Sequence, residues 1–312
     1  MYFPYLRGRQ YELIALRELL DNDKLGEYIL PIIEPVKLSS TLINILEKFQ
    51  EKNQNCSLVM NPQVGSFVSE LGESQKENLV ERLNKVLEGN NHLLRVSLMS
   101  KDYNETDDFN QTKDAGKIII CKQADDLEGY KNNYINQDIA YNIISENSRL
   151  KREVKDPRVK INDNFIKLPR NTDYLKNEDE FYTDDHLYFS ADGYKGFSDY
   201  SIVGEDYSES GFAPYAVAIH IVYFDEEFNL RVNHFVSNSN TDPSNPAGKF
   251  KEALEKLITA VRSGKIQRTI AIDEFERLYN TESYPGLGTV KKLSIMHHIE
   301  LIANYFKSKE ES

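Results

Sequence analysis

Cysteine is almost absent: the 312-residue chain has two, Cys56 and Cys121. Two are too few for a disulfide framework, and no His or Cys stands beside them at metal-ligand spacing, so no metal site is expected. They read as small buried apolar side chains in a reducing, cytoplasmic setting. Long apolar runs are missing too. None reaches the ~18 residues that suggest a membrane-spanning helix. The opening residues Met1–Arg9 lack a basic segment followed by an apolar stretch, so no secretory signal is expected. Positive charge is scarce: 38 Lys and Arg face 50 Asp and Glu, a net charge of −12. That argues against sequence-independent binding to a phosphate backbone, which needs clustered cations, while leaving room for a local basic pocket. No phosphate-binding Gly loop, dinucleotide fingerprint, His-Glu-x-x-His motif or Ser/His/Asp order is present. No repeat period and no linker is visible, so one domain over 1–312 is expected.

What is present is a recurring unit. Short apolar runs end in a polar or charged residue, and an amphipathic helix usually follows. Tyr2–Leu6 ends at Arg7 and Arg9, Tyr28–Ile33 at Glu34, and Leu58–Met60 at Asn61. Leu93–Leu98 ends near Ser100 and Lys101. Ile118–Cys121 ends at Lys122, Ile139–Ile144 at Ser145 and Glu146, and Phe165–Leu168 at Arg170. Helices are expected over Gln10–Leu20, from Ser39-Ser40, and from Ser74 with Glu77 closing a capping box. Short, polar ones are expected at Asp125–Tyr134 and Ser148–Lys155. Strands rich in Ile, Val and Leu with helices between them indicate a parallel sheet covered by helices. Seven such units predict an α/β fold, a (β/α)8-barrel-like closed sheet whose strand C-termini share one face.

The second half reads differently. Asn171–Glu209 is a long loop rich in Asp, Tyr, Ser and Gly, with a short strand at His186–Phe189. Loops this long are usually functional or partner-binding. Tyr215–Tyr223 and Leu230–Val236 flank Asp225-Glu226-Glu227 and predict an inserted antiparallel hairpin, 215–236. Helices are expected at Ala247–Arg262, closed by Gly264, and at Val290–Lys307, apolar on several sides and therefore buried.

Three stretches together resemble a known family. They are Tyr2–Leu16 followed by Leu30–Pro35, then Gly196–Ile202 with the strand around His220, then Gly286–Thr289 leading into His297-His298. The combination is similar to the "beta family" proteins of bacteria and phages, and more narrowly to a branch sharing the Tyr-Phe-Pro-Tyr-Leu-Arg-Gly-Arg start. Arg7-Gly8-Arg9 stands where many members carry a Lys-containing version, and the Trp expected after the Gly-Thr motif is missing. The resemblance implies a barrel-like fold and a phage-conflict or mobile-element setting, often beside a second small protein. It implies no activity, cofactor or catalytic residue.

The candidate residues are the polar ones at strand ends. Arg7 and Arg9 flank Gly8, and two guanidiniums there can bind a carboxylate or phosphate in forked geometry. The alternative is a structural ion pair of Arg7 with Glu34. Glu34 can act as an acid or base, as a metal ligand, or as that partner. Asn61, Lys122, Glu146 and Arg170 complete a mixed polar mouth suited to a small anion. Asp199 is a catalytic carboxylate, part of a cation loop with Asp192, Gly193 and Gly196 whose spacing is not that of an EF-hand, or a turn cap before a strand. His297 is either an acid/base at the mouth or a buried hydrogen-bonded residue. Arg7→Ala is expected to destabilise less than a core Leu→Ala while abolishing ligand binding.

Two functions follow. The first is a binding or effector subunit of a genetic-conflict system, recognising a small anionic ligand or a partner protein. The second is a phosphate-ester hydrolase using Glu34 and Asp199, with or without a divalent cation and with Arg7 or Arg9 on the anion. The 171–209 segment carries Tyr174, Phe181, Tyr182, Tyr188, Phe189, Tyr194, Phe197, Tyr200 and Tyr207 among acids. It is expected to contact a protein partner or a second copy, or else to pack its own aromatics.

Overall fold

Every residue of the first strand, β1 (Tyr2–Leu6), is buried, as expected for a strand covered on both faces of a parallel sheet. The structure, a computed structural model, describes residues 1–110, 116–208 and 214–311. After β1 come α1 (Gln10–Asp21), β2 (Ile32–Ile33), α2 (Ser40–Glu51), β3 (Cys56–Val59), α3 (Phe67–Glu70), α4 (Glu77–Gly89) and β4 (Leu93–Leu98). The chain continues through β5 (Lys117–Cys121), α5 (Asp126–Asn133), β6 (Tyr141–Ser145), α6 (Ser148–Glu153), β7 (Arg158–Asn162), β8 (Asp179–Thr183), α7 (Asp185–Tyr188) and β9 (Gly196–Asp199). Last are β10 (Ala218–Phe224), β11 (Leu230–Val236), α8 (Pro246–Arg262), α9 (Ile270–Asn280) and α10 (Leu287–Glu310).

These elements form two compact units, Met1–Asp163 with Tyr188–Tyr200, and Asn164–Leu187 with Ser201–Ser312. The sequence predicts one domain over 1–312. No linker marks the division, because the chain passes between units at three short junctions rather than through a polar spacer.

The first unit is the expected closed parallel barrel, in the order β1-β2-β3-β4-β5-β6-β7-β9. Its interior is lined by alternate strand residues, among them Phe3, Tyr5, Ile32, Val59, Val96, Ile120, Ile143, Ile161 and Tyr200. The outer faces of β5 and β6 present Ile119, Cys121 and Ile144 to a second cluster with Leu127, Tyr130 and Leu150. β2 is shorter than the apolar run Tyr28–Ile33 because Pro31 has no N–H to give. Pairing nevertheless reaches back to a single bridge between Tyr2 and Ile29. Ser39 caps α2 as expected, accepting from the Leu42 N–H at 3.2 Å. The capping box at Ser74 does not form. Ser74–Lys76 is a 3-10 turn, and α4 starts at Glu77 without a side-chain cap.

The seventh and eighth barrel strands are not the ones the sequence suggested. Phe165–Leu168 is not a strand, and the seventh is β7 at Arg158–Asn162. β9 then closes the barrel from inside the expected 171–209 loop, pairing Phe3 with Ser198 and Ile161 with Ser198. A glycine starts it because the wall is crowded there. A Cβ on Gly196 would lie 2.5 Å from the Met1 carbonyl oxygen. Residue 209, the end of the expected loop, lies outside the described residues; elsewhere the segment holds 3-10 turns at Asn171–Lys176 and Ser201–Val203, β8 and α7. His186–Phe189 is therefore not a strand: His186 lies in α7. Tyr174, Tyr182, Tyr194, Phe197 and Tyr200 are buried as core aromatics, whereas Phe181 and Tyr188 are exposed.

The second unit holds the expected hairpin, β10 and β11, extended to a three-stranded antiparallel sheet by β8. Both α8 and α9 pack against neighbours in this unit, and α10 lies on β10 and α9. Among the described residues, no helix is long and apolar enough to cross a membrane.

Candidate functional site

Alternation along each barrel strand decides which side chains reach the mouth. Tyr5, Ile32, Val59 and Ile120 face inward, so Arg7, Glu34, Asn61 and Lys122, each two residues further on, face inward at the C-terminal end. Gly8 makes this possible beside Arg7. Its φ is +61°, and a Cβ there would come within 2.9 Å of the Glu34 carbonyl oxygen.

Glu34 is the centre of the cluster, with 0% of its surface exposed. One carboxylate oxygen accepts from the Tyr5 hydroxyl at 2.7 Å and from the Arg7 guanidinium. The other accepts from the backbone N–H of Gln63 at 2.8 Å. Burial pushes the Tyr5 phenol well above its ordinary range, and the adjacent Glu34 charge adds to the effect. Burial works against the charged form of Arg7 most strongly, but Glu34, Tyr5 and Tyr200 together outweigh it and hold the guanidinium above its usual value.

Aromatic rings complete the floor. Tyr5 and Tyr200 pack with centroids 4.9 Å apart. The Arg7 guanidinium carbon stands 5.6 Å from the Tyr200 ring centroid, and the Lys122 ammonium 5.8 Å from the same ring. Lys122 also donates to the Tyr200 hydroxyl at 3.4 Å. Its backbone N–H is capped by Asp126, which opens α5. Two cations thus share one aromatic ring, and one buried carboxylate sits with them.

Asn61 faces the mouth but is held by the wall, and the remaining candidates are placed elsewhere. Asn61 spends its amide on the Leu98 backbone, donating to the carbonyl and accepting from the N–H, both at 2.8 Å. It extends the β3–β4 ladder by one side-chain rung. Arg9 is the N-cap residue of α1 and makes no side-chain cap bond. Glu146 is exposed and pairs with Lys160 at 3.3 Å, on the outer side of the wall by alternation from Ile143. Asp199 also faces outward. It is in register with Pro4, and accepts from the Tyr2 hydroxyl at 2.7 Å. Arg170 is exposed, ends no barrel strand and belongs to the second unit.

His297, too, lies in the second unit and is buried. Its Nε2 donates to the Val222 carbonyl at 2.7 Å, so Nδ1 accepts from the Thr269 hydroxyl at 2.8 Å. Burial lowers its pKa to about 4. It is a neutral, doubly bonded structural histidine.

Sequence reasoning missed Tyr5 and Tyr200. The signal was available in part, since Tyr5 precedes Arg7 by two positions and so shares its face. Tyr200 was hidden because β9 was not recognised as a barrel strand. Among the described residues, no group of three His, Cys, Asp or Glu side chains could hold a metal ion.

The fold and this mouth define the class of molecule as a closed parallel α/β barrel with a charged, aromatic-floored C-terminal end. No protein-family model matches the chain, and no curated protein matches it either.

Proposed function

We propose that the first unit binds a small anionic ligand at the C-terminal mouth of its barrel, and that the chain is a cytoplasmic binding subunit. The observation that carries this reading is the pair of cations, Arg7 and Lys122, on the Tyr200 ring. Glu34 neutralises one positive charge and, with Tyr5 and Gln63, fixes where the other groups point. A negatively charged group at this mouth would face the Lys122 ammonium, with the Arg7 guanidinium against the same Tyr200 ring, where charge-assisted hydrogen bonds are strong. The genetic-conflict setting implied by the resemblance belongs to the same proposal. So does a protein partner or second copy contacting 171–209, where Leu175, Phe181 and Tyr188 are exposed.

The hydrolase reading is less favoured. Both oxygens of Glu34 are committed to donors, and Asp199 lies on the opposite face of the barrel wall. The two carboxylates do not converge on one reacting atom, which paired acid–base chemistry requires.

Calorimetric titration with inorganic phosphate, dicarboxylates and nucleoside monophosphates tests the proposal. At least one anion should bind the wild-type chain. Lys122→Ala should weaken that binding by about 1.5–3 kcal/mol, roughly ten- to hundred-fold. Lys160→Ala, on the outer wall, should leave it unchanged. Equal affinity in wild type and Lys122→Ala would remove the mouth from the account.

A further inference from the structure

The tip of the β10–β11 hairpin places a large aromatic residue where the backbone favours glycine. Phe228 has φ +63°. Its N–H donates to the Asp225 carbonyl at 3.1 Å, and the strands close with Asp225 N–H donating to the Asn229 carbonyl at 3.0 Å. This is a three-residue hairpin loop whose last position is left-handed, a place normally given to Gly or Asn. A bulky side chain there is strained.

The strain is not offset by full burial, because Phe228 remains 57% exposed. Its ring continues a row of aromatics in the second unit. Phe224 lies 6.3 Å from Phe228 and 5.5 Å from Tyr305, and the His186 ring packs 5.1 Å from Phe224. The turn itself is held independently of the Phe228 side chain. The Asp225 carboxylate accepts from the N–H groups of Glu227 and Asn229 at 3.0 and 2.9 Å, and the Phe228 carbonyl accepts from His186 at 2.8 Å.

The rim is acidic. Glu226 and Glu227 are exposed and precede Phe228 in the loop, the Glu227 carboxylate accepting from the Asn229 amide at 3.4 Å, and Asp184 is half-buried two residues before His186. At the far end Lys309 stands 5.6 Å from the Tyr305 ring centroid. An exposed aromatic anchor with carboxylates at its edge complements a cationic segment, whose Lys or Arg can pair with the acids and lie over the rings.

We propose that this hairpin tip docks a linear Lys/Arg-rich segment of a partner protein, with an apolar residue of that segment seated on Phe228 and Phe224. A second copy of this chain fits less well, since two acidic tips repel.

Selection of a displayed random peptide library on the full chain tests this. The wild type should enrich peptides with at least two Lys or Arg flanking an apolar residue. A synthetic peptide of that sequence should lose tenfold or more in affinity against Phe228→Gly, and against Glu226→Lys/Glu227→Lys. Phe228→Gly relieves the left-handed strain, so it should raise the Tm of the second unit by about 1–3 °C while abolishing docking. Misfolding therefore cannot explain the loss. Lys122→Ala should bind the peptide normally, which separates this surface from the barrel mouth. No enrichment, enrichment of acidic or uncharged peptides, undiminished binding to Phe228→Gly, or Phe228-dependent self-association by sedimentation would each overturn the proposal.

Discussion

Glu34 receives Tyr5, Arg7 and the Gln63 N–H, and that fixes what its partners are worth. The sequence reading held that Arg7→Ala costs less than a core Leu→Ala. With Arg7 only 8% exposed and Glu34 at 0%, removal of the guanidinium strands a buried charge, and the expected cost becomes about 3–5 kcal/mol. Urea unfolding of Arg7→Ala checks this; a loss below about 1 kcal/mol would mean that water reaches Glu34. A second buried acid acts in the opposite sense. Burial raises the pKa of Asp108 to about 6, despite hydrogen bonds from Ser97 and Tyr103. The folded state thus keeps a proton that the unfolded chain releases between about pH 6 and pH 4. Asp108 therefore weakens the fold at pH 7 and relieves it on acidification. Asp108→Asn should remove this pH dependence and be no less stable than wild type at pH 7, as pH-series unfolding would show. At this scale the sequence was readable where strand position determines direction, as for Arg7, Glu34 and Lys122. It was not readable for Glu146 and Asp199, where one step along the strand reverses the face.

The elements depend on few residues at their ends. α9 begins at Thr269, whose hydroxyl oxygen accepts from the Ile272 N–H at 3.3 Å and is bonded to His297. Thr269→Ala removes a helix cap and leaves a buried imidazole nitrogen unsatisfied, an expected loss of about 2–3 kcal/mol measurable by urea unfolding. The same helix was legible but unread: Ile272, Phe275 and Leu278 form a stripe behind a capping threonine. β9 was harder to see. Gly-Phe-Ser-Asp has neither the length nor the aliphatic content of the other barrel strands, and it becomes a strand because β1 and β7 leave a place for it. Gly196→Ala, which forces a Cβ against the Met1 carbonyl, should destabilise the barrel by about 1–3 kcal/mol, again by urea unfolding.

Across the whole molecule, the titrating groups are unequally divided. The chain has six histidines; His186, His220, His234, His297 and His298 lie in the second unit. Burial depresses all five of these, His186 and His297 to about 4 and His220 and His298 to about 3. Below about pH 6.5 the unfolded chain takes up protons that the folded unit refuses, so stability is present above that pH and lost as pH falls toward 4. His297 alone contributes up to about 3 kcal/mol to this loss. Hydrogen exchange at pH 7 and pH 4.5, corrected for intrinsic rates, should show protection collapsing in β10, β11 and α10 while the barrel strands keep theirs. Uniform loss across both units would contradict the assignment. The barrel was legible from the spacing of apolar runs. The two-unit division was not, because β8 and β9 come from one polar, tyrosine-rich stretch and enter different units.

Where an anion binds, beside Tyr200, is a sharper test of the proposed function than how tightly it binds. With ring-13C tyrosine and resonances assigned through Tyr5→Phe and Tyr200→Phe, titration with inorganic phosphate and nucleoside monophosphates should shift Tyr200 and Tyr5 along one saturable curve. The shifts should vanish in Lys122→Ala. Absence of any shift at those two rings, or equal shifts in Lys122→Ala, would contradict the account.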